Sequence, residues 1–362
     1  MRSVGVEEEL LLVDRDSGEP RALSSAVMAV AAKEGAADFE AELHREQLEF
    51  ATSPHQSMSN LAEDVVRWRT AAADHAETLG GAAVALATSP LPVSPTVGTG
   101  TRHQWLAQEF GLTTQEQLTC GCHVHVFVES DEEGVAVLNR LRPWMPLLVA
   151  LSANSPFWQG QDSRYSSYRS RVWGRWPTAG PVELFDDAAA YHRQVQAMVA
   201  TGVIRDRGMV YFDARLSAAH PTVEVRVADV CLEPFTTVLL AMLVRGLVET
   251  AARDWQAGEP AVAHPVSLLR LATWRASRSG LDGELVCPRL MRPVPARAAV
   301  ESLLEHVRPA LEDAGDFEGA RALLSRLLHD GNGTHVQREV YRRTGSLREV
   351  VAECVRHTHG GM

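Results

Sequence analysis

Val4-Gly5-Val6-Glu7-Glu8-Glu9-Leu10-Leu11-Leu12-Val13 decides the fold class, because it sets three consecutive glutamates inside an otherwise apolar run. Side chains alternate faces along a β-strand, so Val4, Val6, Leu10 and Leu12 share one face. Glu7 and Glu9 share the other with Gly5. Glu8 falls on the apolar side, where an unpaired carboxylate is costly, so it is expected to be paired there or to lie at an edge.

Three segments further along the chain repeat this polarity. Leu48 and Phe50 oppose Glu49; Val124, Val126 and Val128 oppose His123 and His125; Val223, Val225 and Val227 oppose Glu224 and Arg226. The predicted sheet therefore has an apolar side for helices and a polar side gathering Glu7, Glu9, Glu49, His123, His125, Glu224 and Arg226. A solvated polar face would account for any one of these strands. Four strands with the same polarity point instead to a cation, since two unit charges ~4 Å apart repel by about 4 kcal/mol at an effective dielectric of ~20. Carboxylates supplemented by a histidine suit Mg²⁺ or Mn²⁺ holding a nucleotide triphosphate. Cys120-Gly121-Cys122-His123-Val124-His125 has the donors of a soft-metal site, but Cys122 faces away from both histidines and no second Cys/His pair completes it. Buried thiols acting as small hydrophobes are the better reading.

Strands are expected near residues 4–13, 40–52, 82–88, 121–128, 209–214 and 222–228, and helices at 57–79, 131–152, 186–200 and 234–254, with a mainly helical pattern from 261 onward. The spacing is too irregular for a parallel β-α alternation, so an α+β architecture is predicted. No repeat or long linker divides the chain, and residues 1–362 are expected to form one domain. Between helices, Asn154 to Pro177 reads as a long loop in which Arg164, Arg169, Arg171 and Arg175 alternate with Tyr165, Ser167 and other hydroxyls. Such a loop is a binding surface for carboxylate or phosphate. If it is extended, Arg169 and Arg171 project to one side.

Composition excludes several functions. A net charge of −11 argues against broad nucleic-acid binding. Apolar stretches such as Trp144 to Ala153 are broken by Pro146 and Ser152, and Glu7 to Glu9 fall where a signal peptide would be apolar, so a cytoplasmic protein without a membrane span is expected. Five scattered cysteines read as reduced thiols. Lys33 is the only lysine and ends a helical stretch, which removes P-loop, kinase-type and pyridoxal-phosphate sites. Gly98-Thr99-Gly100 lacks a third glycine and reads as a turn, and no Gly-x-Ser-x-Gly supports an acyl-enzyme. A nucleotide, if used, is held by metals and arginines.

Together and in order, Gly5-Val6-Glu7-Glu8-Glu9, Leu48-Glu49-Phe50-Ala51-Thr52, Gly121-Cys122-His123-Val124-His125, Leu151-Ser152-Ala153-Asn154-Ser155-Pro156, Arg175-Trp176-Pro177-Thr178-Ala179-Gly180 and Glu224-Val225-Arg226 resemble the type 2 glutamate-cysteine ligases, including the bacterial carboxylate-amine ligases of that group. The resemblance implies a glutamine synthetase-like funnel: a curved, mainly antiparallel sheet of about six strands with helices on its outer face. It carries metal binding to Glu7, Glu9, Glu49, His123 and Glu224, with Glu42 a weaker addition, and catalytic roles to Arg226 at the transferring phosphate and to Glu49. Loop residues Arg164, Tyr165, Ser167, Arg169, Arg171 and Arg175 would hold substrate or phosphate. Gly331-Asn332-Gly333-Thr334-His335-Val336-Gln337-Arg338 departs from the family's C-terminal motif, which leaves His335 and Arg338 without an assigned role.

The implied reaction joins a carboxylate to an amine through an acyl phosphate, with Mg²⁺ or Mn²⁺ as cofactor and ATP as co-substrate; glutamate and cysteine are the first choice of substrates. The alternatives are the same chemistry on another carboxylate or amine, or a metal or small-molecule binding module without turnover. Expected partners are small amino acids or amines, not nucleic acid or membrane, with a homodimer as the assembly to consider.

Overall fold

Eleven strands form in the computed structural model, which describes residues 1–33 and 39–359. They are β1 (Val4–Asp14), β2 (Glu40–Ala41), β3 (Gln47–Ala51), β4 (Gly81–Val84), β5 (Gly121–Phe127), β6 (Phe157–Trp158), β7 (Gln161–Asp162), β8 (Ala214–Leu216), β9 (Thr222–Asp229), β10 (Glu284–Val286) and β11 (Pro293–Pro295). Seven of them make one sheet in the order β2-β3-β1-β5-β9-β8, with β4 also pairing with β1. Every pairing in it is antiparallel. The remaining four form two small hairpins, β6-β7 and β10-β11.

The predicted apolar side is where the helices pack. Val6, Val124, Val126, Val223 and Val225 join Leu61 and Val65 of the helix Met58–Glu77 and Leu239 and Leu243 of the helix Pro234–Gln256 in one buried cluster. Ser57 starts the first of these helices by accepting a hydrogen bond from the Asn60 amide. Trp68, one turn beyond Val65, stacks on Phe50 with ring centroids 5.6 Å apart. The helix Pro234–Gln256 is long and apolar enough to cross a membrane, a length the broken apolar runs of the sequence did not reveal, yet it is buried in this core.

Glu8 is paired on the apolar side, as its parity required. The Arg69 guanidinium donates to both its oxygens at 2.8 and 2.7 Å, and also donates to the Cys231 and Leu232 carbonyls. The cysteines are all free, and burial pushes the Cys120 and Cys122 thiols well up, as fits small hydrophobes.

Three boundaries differ from expectation. The predicted helix 131–152 is interrupted at Arg142–Trp144, a 3₁₀ turn next to Pro143 and Pro146, because proline removes a helical donor and crowds the preceding turn. The strand expected at 209–214 begins at Ala214, and Arg207–Met209 is a 3₁₀ turn capped by Asp206. Within the long loop, Arg169–Trp173 is helical rather than extended.

Candidate active site

Residues directly opposite each other in antiparallel strands point to the same face, so the register assembles the site. Glu40 lies opposite Glu49, and Glu49 opposite Glu9. Glu7 lies opposite His123, His125 opposite Glu224, and Glu224 opposite Arg215. A β-bulge sits between Cys122 and Val124, so both Arg226 and Val227 lie opposite His123. The bulge explains why Val227 does not simply continue the apolar row of Val223 and Val225: it also reaches a cavity wall.

Glu7 is shared by two histidines, with its Oε2 3.0 Å from His123 Nδ1 and its Oε1 3.1 Å from His125 Nε2. Burial alone would raise the Glu7 carboxyl, but the hydrogen bonds of both histidines outweigh it and hold the group well below the usual range. Burial, reinforced by Arg226, depresses His123 to about 4. The neutral imidazole with its proton on Nδ1 faces Glu7, which leaves a lone pair on Nε2; that atom is buried and has no hydrogen-bond partner. An orphaned ring nitrogen among carboxylates is what a cation ligand looks like before the cation binds.

Two groupings place one ligand atom per residue within 4.8 Å of one another: Glu7, Glu49 and His123, and Glu7, His125 and Glu224. Glu9 borders the first, accepting from the Gly121 amide at 2.6 Å and lying 4.0 Å from His123 Nε2. Burial and then the charge of Glu42 push Glu9 up to about 7. Glu42 hydrogen-bonds to Glu49 rather than entering either grouping, and burial followed by the Glu42 charge drives Glu49 well above its ordinary value. Glu224 is held at about 2, because Arg226 and Arg215 outweigh its burial. The carboxylate donors and the unpartnered imidazole nitrogen fit a divalent cation.

These side chains line a cavity of about 320 Å³, closed on its other side by Arg102, His103, Leu106, Trp176 and Tyr211. A second cavity of about 600 Å³ has apolar walls from Phe212, Leu271 and Trp274, with Arg169, Arg171 and Arg270 among them. Trp173 and Arg226 border both. Arg169 is buried with Nε and Nη2 unpartnered, and a Cβ at Gly121 would stand 2.3 Å from its Nη2, so only glycine lets this guanidinium approach the sheet.

The loop residues separate into different roles. Arg169 and Arg171 do not project together, since a helix turns them apart: Arg169 is buried and Arg171 exposed, although both reach the second cavity. Ser167 donates to buried Asp229, and Tyr165 accepts from Trp274 Nε1 at 3.2 Å beside that cavity. Arg164 is exposed, and Arg175 is paired with Glu116; neither lines either of the two cavities. His335 completes the cap of its helix with Asn332, and Arg338 donates to Asp162 and to the Tyr165 carbonyl, so the departing C-terminal motif anchors this loop. Glu40 and Arg215 were missed. Parity on β2 would have revealed Glu40, but a two-residue strand leaves no periodic signal.

A model of glutamate-cysteine ligase family 2 matches residues 3–353. The chain belongs to this family. A Streptomyces avermitilis protein provisionally named glutamate–cysteine ligase 2-1 is 63% identical over 362 residues, covering 99% of this chain and 100% of the relative. A Streptomyces coelicolor protein provisionally named glutamate–cysteine ligase 2 is 60% identical, covering 99% of each. Among solved structures, the Francisella tularensis glutamate–cysteine ligase in complex with AMP superposes with a TM-score of 0.66 at 14% identity, covering 99% of this chain and 89% of that one. The bifunctional glutathione synthetase of Pasteurella multocida gives 0.70 at 14% identity, covering 99% and 52%. These likenesses establish the glutamine synthetase-like fold, and membership of glutamate-cysteine ligase family 2 makes the chain a carboxylate-amine ligase.

Proposed function

We propose that this family 2 ligase uses ATP and Mg²⁺ or Mn²⁺ to activate glutamate and join it to an amine, with residues 1–362 acting as one catalytic domain. The observation that carries the reading is the row of carboxylates with the unpartnered His123 nitrogen beside Arg226, in a protein with one lysine. The AMP complex of the Francisella relative supports a nucleotide. Glu7, Glu49 and His123, with Glu224 and His125 at the second grouping, would hold the cation, and Glu9 and Glu42 would tune them. The cation, when bound, neutralises charge on the phosphates.

A carboxylate oxygen of glutamate attacks the γ-phosphorus, the bond to the bridging oxygen breaks, and ADP leaves. The amine nitrogen, having lost a proton, then bonds to the acyl carbon while the carbon–oxygen bond to phosphate breaks. Arg226 is placed between the cavities to stabilise the transferring group, and Arg169 has two donors free for an anion in the larger cavity, whose apolar walls suit a nucleotide base. Cysteine is the amine carried by the family name and the reference for any other; the acidic rim of the smaller cavity favours a second reading, argued below.

The test is ADP release with glutamate and an amine. Chelation should abolish it reversibly, and Glu49→Gln should fold yet lose at least roughly a hundredfold, as for a lost metal ligand or pre-organised charge. Undiminished turnover by metal-stripped protein would rule the mechanism out.

A further inference from the structure

We infer that the amine joined by this ligase is a small cationic amine without a carboxylate, recognised at the β2 edge of the sheet by Glu40 and Glu42. The inference rests on the ligase reading above and deepens it. Glu40 stands opposite Glu49 at the end of the carboxylate row and lines the smaller cavity. It is exposed, and neither it nor Glu42 makes an ion pair among the described residues. Neither belongs to the two groupings that can hold a cation. This end of the cavity therefore keeps negative charge that no protein group neutralises.

An α-amino acid entering as the amine would need a cation for its carboxylate, and the arginines here are committed. Arg215 spends its donors on Glu224 and on the Gly208 and Val210 carbonyls. Arg102 is engaged by both oxygens of Asp206. Arg226 is tied to Glu224 and faces the site of phosphoryl transfer. His103 is no substitute, because burial lowers its pKa and keeps it neutral. Leu43, Leu106 and Trp176 supply apolar wall for a short carbon chain, and about 320 Å³ shared with the reacting groups leaves room for only a few carbons. Like charge rejects the carboxylate of an amino acid, while an ammonium is attracted until it surrenders its proton.

Matched pairs isolate the carboxylate: cysteamine against cysteine, ethylamine against alanine, ethanolamine against serine. With ATP, Mg²⁺ and glutamate saturating, kcat/KM for amine-dependent ADP release should be at least tenfold higher for the first member of each pair. Glu40→Arg should shrink that ratio at least tenfold, chiefly by raising KM for cysteamine and lowering it for cysteine, and Glu40→Gln should fall between. Melting curves confirm that the variants fold. Cysteine equalling or surpassing cysteamine in the unaltered protein overturns the inference and leaves the ligase reading intact. A ratio unmoved by Glu40→Arg overturns the role of this edge. No amine-dependent ADP release with any of the six compounds, glutamate being present, removes the ligase reading and the inference together.

Discussion

Glu9 and Glu49 are the residues at which proton and metal compete. Glu9 sits at about 7 against an ordinary 4.5, raised by burial and the Glu42 charge, and Glu49 is raised by the same causes. A carboxyl whose folded-state pKa is raised favours the folded state while protonated. That contribution is present below the unfolded value of 4.5 and is lost as pH rises to about 7. Metal-free protein should thus melt at lower temperature at pH 7.5 than at pH 5.5. Mg²⁺ should reverse the loss and, at pH 7, release protons on binding, seen by calorimetry in buffers of different ionisation enthalpy. A melting temperature independent of pH across this window would contradict the assignment. Glu8 makes the contrasting case. It differs from its neighbours only in parity, and its Arg69 partner is 1% exposed. Arg69→Ala strands a buried carboxylate and should cost about 3–5 kcal/mol in denaturant unfolding, whereas the double replacement Glu8→Leu, Arg69→Met should cost much less. Alternation in ten residues made this pairing legible before any partner was visible.

At the level of elements, alternation located β1, β3, β5 and β9 to within a few residues, because a strand half-buried by helices must keep its pattern. It could not see β8, whose place depends on pairing with β9 rather than on its own three residues. Nor could it see that Arg169–Trp173 coils, since that turn is fixed from outside by Ser155, whose hydroxyl accepts from the Arg169 amide at 3.0 Å, and by the anchoring helix Gly333–Thr344. The coil changes the expected roles of its arginines. Arg169→Lys should lower kcat/KM by at least about tenfold, because an ammonium cannot reproduce the planar fork of donors in a buried place. Arg171→Lys, at an exposed position, should change stability by less than about 0.5 kcal/mol and activity less than its neighbour. Steady-state kinetics beside thermal melts separate the two, and equal losses would return both to one surface.

Across the whole molecule, the seven-stranded sheet is built from chain segments more than two hundred residues apart, and its polar row exists only because their registers agree. Parity indicates which side of each strand is polar, but not which strands are neighbours; that order came only with the structure. The shared carboxylate of Glu7 gives the assembly a property no single position has. With one oxygen toward each histidine, it couples two binding events: filling the first position fixes the rotamer that serves the second, while the added charge opposes it. Where the pre-orientation prevails, the velocity of ADP release should climb with free Mg²⁺ at an apparent order above one, measured at fixed MgATP. The ligase would then behave as a threshold device, nearly silent when the cation is scarce and switched on over a narrow range of concentration.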